Sequence, residues 1–280
     1  MTAACPICTA PVRTLFKGRI LGRYETAYHH CASCGLLRTD PPHWLNEAYG
    51  RPISSTDTGL VARNLACARV MTTILGLLGR PSEAFVDVAA GYGLFVRLMR
   101  DAGYDFCWDD PYATNIFAEG FGGDNVRSTS IITAFEVLEH IHDPCEFIER
   151  LRQRWSFQMM FFSTDTYSGQ PPAIDAWRYY SVETGQHVCF YENRTLDQLA
   201  KRFGLRHTRL GFLHAFAPAS TIPWYAPLAC GPLSRIIAPL LSMGRSRVMT
   251  DHALQVRLLH DRQEHQDSPT DSLPQRGSNA

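Results

Sequence analysis

The sequence of 280 residues has no excess of charge of either sign, because Lys and Arg together number 27 and so do Asp and Glu. A protein with an obligatory nucleic-acid partner usually carries a basic excess, so the balance argues against nucleic acid as the partner of the whole chain. Hydrophobic residues make up 45% of the sequence. That fraction is enough for one medium-sized domain with a small accessory unit.

The sequence also lacks a secretory signal and a long apolar run. Residues 1–10 contain no basic flank followed by an apolar stretch, so we expect no signal peptide. The most apolar segment, residues 222–243, is interrupted by four prolines, a glycine and an arginine. No stretch reaches the roughly 18 apolar residues of a membrane span, so we predict no transmembrane helix. We interpret residues 222–243 as loops and short helices over a core, with shallow membrane contact as the less favoured alternative.

The nine cysteines do not form the pattern of a disulfide framework. Five are scattered singly, and four stand in two C-x-x-C pairs, Cys5 with Cys8 and Cys31 with Cys34. This usage favours a reducing compartment, and we expect a cytoplasmic protein. The two pairs are 22 residues apart and supply four thiolates, which is enough to close a tetrahedral zinc site. We predict a zinc-ribbon module with structural Zn²⁺ over residues 1–40.

Strand and helix patterns alternate after a linker and a helix in residues 41–80. Short apolar runs near 84–88, 104–108, 130–135 and 157–163 predict buried strands, and helical patterns follow them. Such alternation predicts an α/β fold with a mostly parallel sheet covered by helices on both faces.

We assign this α/β domain to residues 81–260. One of its predicted helices covers residues 112–119. The polar composition of residues 261–280 predicts a disordered tail.

The first predicted strand runs into a loop of small residues, Ala89-Ala90-Gly91-Tyr92-Gly93, directly before a helix. Glycine lets a ligand approach the backbone closely, and the following helix start offers N–H groups and partial positive charge. The spacing differs from the G-x-G-x-x-G pattern of dinucleotide-binding proteins, which disfavours an NAD enzyme. An ordinary turn with two glycines is the alternative interpretation.

An acid ends the second predicted strand. Asp110 lies 23 positions after Asp87 and is followed by Pro111. An acid at this point of a doubly wound sheet can accept both hydroxyls of a ribose. The neighbouring Asp109 is an alternative, and capping of the next helix is a second role for either residue.

The segment Glu136-Val137-Leu138-Glu139-His140 concentrates groups with chemical function. If it is helical, Glu136, Glu139 and His140 share one face. Two carboxylates and an imidazole on one face suit a divalent cation, or supply a general base. Structural support of a loop is the third interpretation.

Together, the loop, the acid and this segment resemble the core of class I S-adenosylmethionine-dependent methyltransferases over residues 85–165. The loop is similar to the family's D/E-x-G-x-G-x-G, with Ala89 in place of the first glycine. Residues 133–144 resemble the family's segment (F/D)-E-V-x-E-H, which follows the fourth strand and ends in D-P. The resemblance implies a Rossmann-like fold and S-adenosylmethionine as the cofactor. The residues that it places at the cofactor are Asp87, Ala89, Gly91, Gly93, Asp110 and Phe135.

The resemblance also suggests catalytic residues. Ubiquinone-pathway O-methyltransferases and small-RNA 2′-O-methyltransferases carry similar E-x-x-E-H residues as a magnesium or manganese site, so a Mg²⁺ cofactor stays open. In related methyltransferases, a segment similar to residues 177–191 helps to form the wall of the acceptor site, so we expect Tyr180 and His187 to face the substrate. The candidate catalytic residues are therefore Glu139, His140 and His187.

Zinc knuckles before a methyltransferase domain are similar to those of sugar C-methyltransferases in antibiotic and polysaccharide pathways, although those enzymes usually have a longer C-terminal domain. We therefore expect methyl transfer to an oxygen or carbon of a small molecule or glycan precursor. The alternative is a zinc-ribbon RNA- or protein-binding factor with an inactive methyltransferase fold. The sequence fixes neither the acceptor, nor O- against C-methylation, nor the oligomeric state.

Overall fold

The computed structural model describes residues 4–50, 53–79 and 82–267. Its strands form two sheets, and its helices cover both faces of the larger one. In chain order, the elements are β1 (Arg13–Ile20), β2 (Tyr24–His30), β3 (Leu37–Thr39), α1 (Leu45–Ala48), α2 (Leu60–Leu77), β4 (Phe85–Val88), α3 (Leu94–Asp101), β5 (Phe106–Asp109), β6 (Ile131–Phe135), α4 (Pro144–Trp155), β7 (Met159–Ser163), β8 (Thr166–Tyr167), β9 (Cys189–Glu192), α5 (Asn193–Arg202), β10 (Arg206–Leu210), β11 (Leu213–Ala217), α6 (Ala226–Ala229), α7 (Ser234–Ser242) and α8 (Val248–Asp267).

The larger sheet has the strand order β10-β11-β7-β6-β4-β5. The strands β5, β4, β6 and β7 run parallel, and β11 and β10 follow as an antiparallel hairpin at one edge. Every residue of β4 and β7 is buried, as expected for parallel strands with helices on both faces. The prediction of an α/β fold with a Rossmann-like parallel sheet is confirmed.

The chain order of the strands reverses between β4 and β6. From β4 the chain passes through α3 to β5 on one side, and then crosses to β6 on the other side of β4. The loops that leave β4 and β6 therefore diverge, and a crevice opens above the carboxyl ends of these strands.

The smaller sheet joins the N-terminal strands to the methyltransferase-like part, in the order β1-β2-β3-β9-β8. Leu37 of β3 pairs with Phe190 of β9 in antiparallel register. The rings of Tyr28, Tyr180 and Phe190 pack together below this sheet, with centroids 4.9–6.1 Å apart. The boundary predicted at residue 40 therefore runs through a shared sheet and a shared core.

Two local expectations are corrected. Residues 112–119 form turns rather than a helix, because Asp110 accepts the backbone N–H of Tyr112 and of Ala113, and this caps a turn. The segment from Glu136 to His140 is not an α-helix either. Glu136 has a φ of 55°, and a single 3₁₀ turn follows at Leu138–His140.

The C-terminal helix α8 continues past residue 261, where the disordered tail is predicted to begin. A buried ion pair holds its first turns, since Arg100 Nη2 lies 2.8 Å from Asp251 Oδ1. Residues 268–280 of the predicted tail lie outside the described residues.

Among the described helices, α2 alone has the length and apolar composition needed to cross a membrane. Its side chains Cys67, Met71 and Ile74 are buried in the core that α3 and the large sheet share. This packing is that of a core helix, and the helix is weak evidence for a membrane span.

Candidate active site and cysteine cluster

A cavity of about 400 Å³ opens above the carboxyl ends of β4, β5 and β6. Several residues that the sequence predicted for the cofactor and for catalysis come from separate strand ends and loops and reach this one space. They are Asp87, Ala89, Gly91, Asp110, Phe135, His140 and His187.

The loop after β4 has three residues with left-handed backbone conformations. The φ angles of Ala89, Gly91 and Gly93 are 53°, 56° and 84°. A Cβ on Gly93 would lie 2.6 Å from Asn115 Oδ1, so this position requires glycine. Ala89 adopts its conformation with a Cβ in place, at a cost of about 1–2 kcal/mol. Ala89, which stands where the family has its first glycine, therefore strains the backbone and also adds a small side chain.

The helix α3 starts directly after this loop. Its N-cap residue Gly93 provides no side-chain hydrogen bond, and its first turn contains no acidic residue. The first N–H groups are therefore free of a side-chain partner, and with the helix dipole they favour a negatively charged ligand group.

Asp87 is a buried carboxyl group at the floor of the cavity. It is 3% exposed, and its Oδ1 accepts a hydrogen bond from Thr133 Oγ1 at 2.5 Å. Burial raises the pKa of Asp87 to about 8, the nearby charge of Asp110 adds to the rise, and the bond from Thr133 opposes it. A cation in the cavity would favour its ionised form.

Asp110 lies at the cavity, whereas Asp109 does not line it. Asp110 Oδ2 accepts the N–H of Gly91 at 2.8 Å and keeps a lone pair for a further donor. Asp109 Oδ1 instead forms an ion pair with Arg154 Nη2 at 2.8 Å. Of the two acids that the sequence offered, Asp110 alone is in a position to contact a ligand there.

An aromatic pair closes one side of the cavity. The rings of Tyr49 and Tyr112 are stacked, with centroids 5.3 Å apart and an interplanar angle of 9°. Tyr49 was not predicted as a site residue, because it lies in the segment interpreted as a linker. Arg63 on α2 was not predicted either, and it lines the cavity while two of its nitrogens contact Asp57 at 3.0 and 2.6 Å. No periodic signal marks either residue.

Glu136 does not share a face with Glu139 and His140, as a helix would have required. Ser163 Oγ donates to Glu136 Oε1 at 2.6 Å and accepts the N–H of Glu136 at 2.9 Å. The structure instead groups Glu139, His140 and His187, whose ligand atoms lie within 4.8 Å of one another.

Both histidines at the cavity have one ring nitrogen next to a backbone carbonyl. His140 Nδ1 lies 3.1 Å from Gln186 O, and His187 Nδ1 lies 2.6 Å from Tyr179 O. A carbonyl oxygen only accepts, so Nδ1 carries the proton and Nε2 keeps its lone pair. Burial lowers the pKa of His140 to about 3 and that of His187 to about 4. Both rings are therefore neutral near pH 7, with a lone pair for a proton or a metal ion, and the same burial makes them weaker bases than a free imidazole.

Glu139 is fully buried beside these rings. Neither of its carboxyl oxygens has a hydrogen-bond partner among the described residues, and the nearby hydroxyls of Tyr179 and Thr164 bond to each other at 3.0 Å. Burial raises the pKa of Glu139 well above its usual range, and the charge of Glu136 adds to the rise.

The expectation for Tyr180 is wrong, and its neighbour Tyr179 lines the cavity instead. Tyr180 is 1% exposed, and its hydroxyl donates to Pro172 O at 2.7 Å. Both tyrosines lie in the 3₁₀ turn at Arg178–Tyr180, but Tyr179 alone lines the cavity.

The four paired cysteines form a second cluster, away from the cavity. The Sγ atoms of Cys5 and Cys34 are 3.6 Å apart, and those of Cys8 and Cys31 are 3.5 Å apart. All four lie within 4.8 Å of one another, and none forms a disulfide. The arrangement is compatible with a zinc ribbon.

A family model described as a methyltransferase domain matches residues 62–210, which is more than half of the chain. The chain belongs to this methyltransferase family. The matched region contains the loop after β4, Asp110 and both cavity histidines. The prediction of a methyltransferase domain is thus confirmed.

Solved methyltransferase structures are similar to this methyltransferase at low identity. CalO1, a methyltransferase in calicheamicin biosynthesis in its SAH-bound form, is 15% identical over 55% of this chain and 54% of its own, with a TM-score of 0.37. Magnesium protoporphyrin IX methyltransferase from Synechocystis PCC 6803 with bound SAH is 12% identical over 62% and 94%, with a TM-score of 0.37. The plantazolicin methyltransferase BpumL in complex with SAH is 11% identical over 70% and 84%, with a TM-score of 0.42.

The match to CalO1 spans about half the length of that enzyme. None of the curated proteins compared with the sequence matches it significantly.

Proposed function

We propose that this methyltransferase binds S-adenosylmethionine above β4 and β5 and methylates an oxygen or carbon of a small molecule or glycan precursor in the cytoplasm. One observation carries the proposal. A single cavity of about 400 Å³ brings the glycine loop, Asp110 and the neutral rings of His140 and His187 together. Its volume lies in the range of small-molecule sites. When bound, S-adenosylmethionine supplies an electrophilic methyl group on a positively charged sulfur.

The residues present fit this cofactor. The uncapped start of α3 suits its carboxylate, and Asp110 Oδ2 keeps an acceptor for a ribose hydroxyl. Asp87 adds a carboxyl group whose ionised form a sulfonium would stabilise. The backbone of Ala89 and Gly91 borders the space, where a long side chain would enter it.

In this proposal, His187 or His140 acts as the general base. Nε2 of His187 or His140 accepts the proton that the acceptor loses as its new bond to the methyl carbon forms and the bond from sulfur to that carbon breaks. Their backbone contacts hold both rings in orientation. The main contribution of the protein is then to align the acceptor atom of the substrate with the methyl group of S-adenosylmethionine. The histidine that accepts the proton is already neutral.

The unpartnered carboxyl group of Glu139 favours a second role for this site, in which Glu139, His140 and His187 together bind a divalent cation. A cation would satisfy both carboxyl oxygens, and the two imidazoles have free Nε2 lone pairs. A set of two imidazoles and one carboxylate suits Mn²⁺ or Zn²⁺ better than Mg²⁺. The two roles exclude each other for a given ring, because a coordinated Nε2 cannot accept a proton.

For the cysteine cluster we infer structural Zn²⁺. A tetrahedral site with zinc–sulfur bonds of about 2.3 Å has sulfur atoms about 3.8 Å apart, close to the two separations in the cluster. Four protein ligands leave no coordination position for water. The role of this metal is therefore to hold the N-terminal strands in place.

Calorimetric titration with S-adenosylmethionine and S-adenosylhomocysteine tests the cofactor assignment. We expect micromolar-range binding of both, weakened at least about tenfold in Asp110→Asn, which removes an acceptor oxygen. Asp109→Asn is the matched control, since Asp109 faces Arg154 rather than the cavity. Absence of binding by the folded wild type would contradict the proposal, and would favour an inactive fold with an RNA- or protein-binding role.

Electron paramagnetic resonance tests the cation arrangement without reference to activity. Binding of Mn²⁺ to the protein would remove the signal of the free aqueous ion, and His187→Asn would restore that signal. If wild type and variant leave the signal equally intact, that result would contradict a Mn²⁺ site at these histidines.

A further inference from the structure

Residues 222–243 form an apolar surface that the described part of the chain leaves uncovered. Most of its large side chains are more than half exposed, which is unusual for a cluster on a soluble domain. The exposed fractions are Trp224 89%, Tyr225 43%, Leu228 69%, Leu233 45%, Ile236 65%, Leu240 64% and Met243 73%.

The helix α7 packs with one side against the rest of the protein and leaves apolar side chains exposed on the other. On the inner side, Ser234 and Ala238 are buried, and Arg69 of α2 donates to Ser234 Oγ at 3.3 Å. On the outer side, four exposed apolar residues follow at spacings of three, four and three, so they lie on one face. They are Leu233, Ile236, Leu240 and Met243, which we call the outer stripe. The apolar stripe of a helix normally packs against another element rather than facing water.

The outer stripe lies in a stretch of sequence that contains basic residues but no acidic ones. Between residues 198 and 250 the sequence contains no Asp or Glu but seven Lys or Arg residues, in a chain whose net charge is zero. Arg235 lies beside the stripe on α7 and Arg245 just after the helix, and both are exposed. Trp224 and Tyr225 add aromatic side chains at its start, of the kind that favours the boundary between headgroups and acyl chains.

We propose that α6 and α7 dock on the surface of an anionic lipid bilayer, with the outer stripe inserted at the level of the headgroups. Exposed apolar side chains, flanking arginines and aromatic residues are the combination that binds such a surface in the plane of the interface. This surface is separate from the cavity, so the proposal stands whether or not the cofactor assignment holds.

Charge disfavours a second copy of the chain as the occupant. A two-fold interface on this surface would place the basic stretch of one copy against the same basic stretch of the other. The basic stretch offers no carboxylate to pair with its Lys and Arg residues, so such an interface would concentrate like charges. Residues 268–280 of the same chain are also poorly suited to cover the outer stripe, because Leu273 is their single large apolar residue.

Vesicle sedimentation tests the proposal with the full chain. We expect the protein to pellet with phosphatidylcholine vesicles that contain roughly a third phosphatidylglycerol, and less with phosphatidylcholine alone or at high salt. Ile236→Ser should lower partitioning at least about tenfold, because it removes an inserted side chain. Arg235→Gln with Arg245→Gln should lower partitioning to anionic vesicles selectively.

Ile116→Ser is the matched control. Ile116 is 59% exposed, against 65% for Ile236, and lies in a loop outside residues 222–243. Circular dichroism verifies that each variant folds. Equal pelleting by Ile236→Ser and Ile116→Ser, or no pelleting by the wild type, would overturn the proposal. A dimer in light scattering that Ile236→Ser abolishes, without vesicle binding, would assign the surface to a second copy.

Discussion

The imidazole rings of His140 and His187 meet edge to face, with centroids 4.8 Å apart and an interplanar angle of 89°. Two hydrogen bonds hold their segments together. Val188 N–H donates to Glu139 O and Tyr191 Oη to Leu138 O, both at 2.8 Å. The two rings are therefore held beside each other by hydrogen bonds between their chain segments, and no loop has to move to bring them together.

Replacement of either ring should separate catalysis from cofactor binding. For His187→Asn and His140→Asn we expect kcat to fall by roughly 10²–10⁴, because the proton acceptor is lost. The affinity for S-adenosylmethionine should change by less than about threefold. His142→Asn is the control, since His142 contacts Thr39 O at 3.0 Å and does not line the cavity. Wild-type kcat in both His140→Asn and His187→Asn would refute the assignment.

Asp87 should make cofactor discrimination depend on pH. Its pKa of about 8 means that it gains negative charge as the pH rises through that value. The sulfonium of S-adenosylmethionine is positive and the thioether of S-adenosylhomocysteine is neutral. We therefore expect the preference for S-adenosylmethionine to grow severalfold between about pH 6.5 and pH 9. Titrations across this range check it, and Asp87→Asn should give a pH-independent ratio of the two affinities.

Ala89→Gly should relieve backbone strain. Since Ala89 has a φ of 53°, glycine should raise the free energy of unfolding by up to about 1 kcal/mol, after the cost of a more flexible unfolded chain. Ser156→Gly is the companion variant, because Ser156 has the same φ at the end of α4, outside the cavity. Urea denaturation should show similar gains for both. A loss of stability in Ala89→Gly would show that the alanine is not strained.

Loss of the cysteine cluster should affect the whole chain. Elemental analysis should find zinc in the wild-type chain, and Cys5→Ser should contain one zinc fewer per chain and lose several kcal/mol of unfolding free energy. Cys107→Ser should keep the metal, since Cys107 lies on β5, outside the cluster. Full stability of the zinc-free protein would contradict a structural role for the metal.

Features encoded by short stretches of sequence could be predicted. The strand that ends at Val88, the small residues after it and the uncapped start of α3 are each local, and they indicate the Rossmann-like class. Asp110 could be placed for the same reason, because an acid at the end of the neighbouring parallel strand must point to the same edge.

Features set by distant contacts could not be predicted. No local pattern reveals that β3 pairs with β9, and that pairing helps to bring His187 beside His140. The missed turn at 112–119 has a different cause. Tyr112 and Ile116 are 68% and 59% exposed, so no buried face supports a helix there, and the side chain of Asp110 stabilises the turn.

Because β1, β2 and β3 share a sheet with β9, the cysteine cluster belongs to the same folded unit as the cavity. A protein cut at residue 40 would leave the edge of β9 without its partner β3, and would strip the cover from Phe190 and Tyr180. The strand β9 begins at Cys189, shortly after His187. Occupancy of a metal site far from the cavity and competence for methyl transfer would then rise and fall together, so the zinc supply would set the fraction of working enzyme.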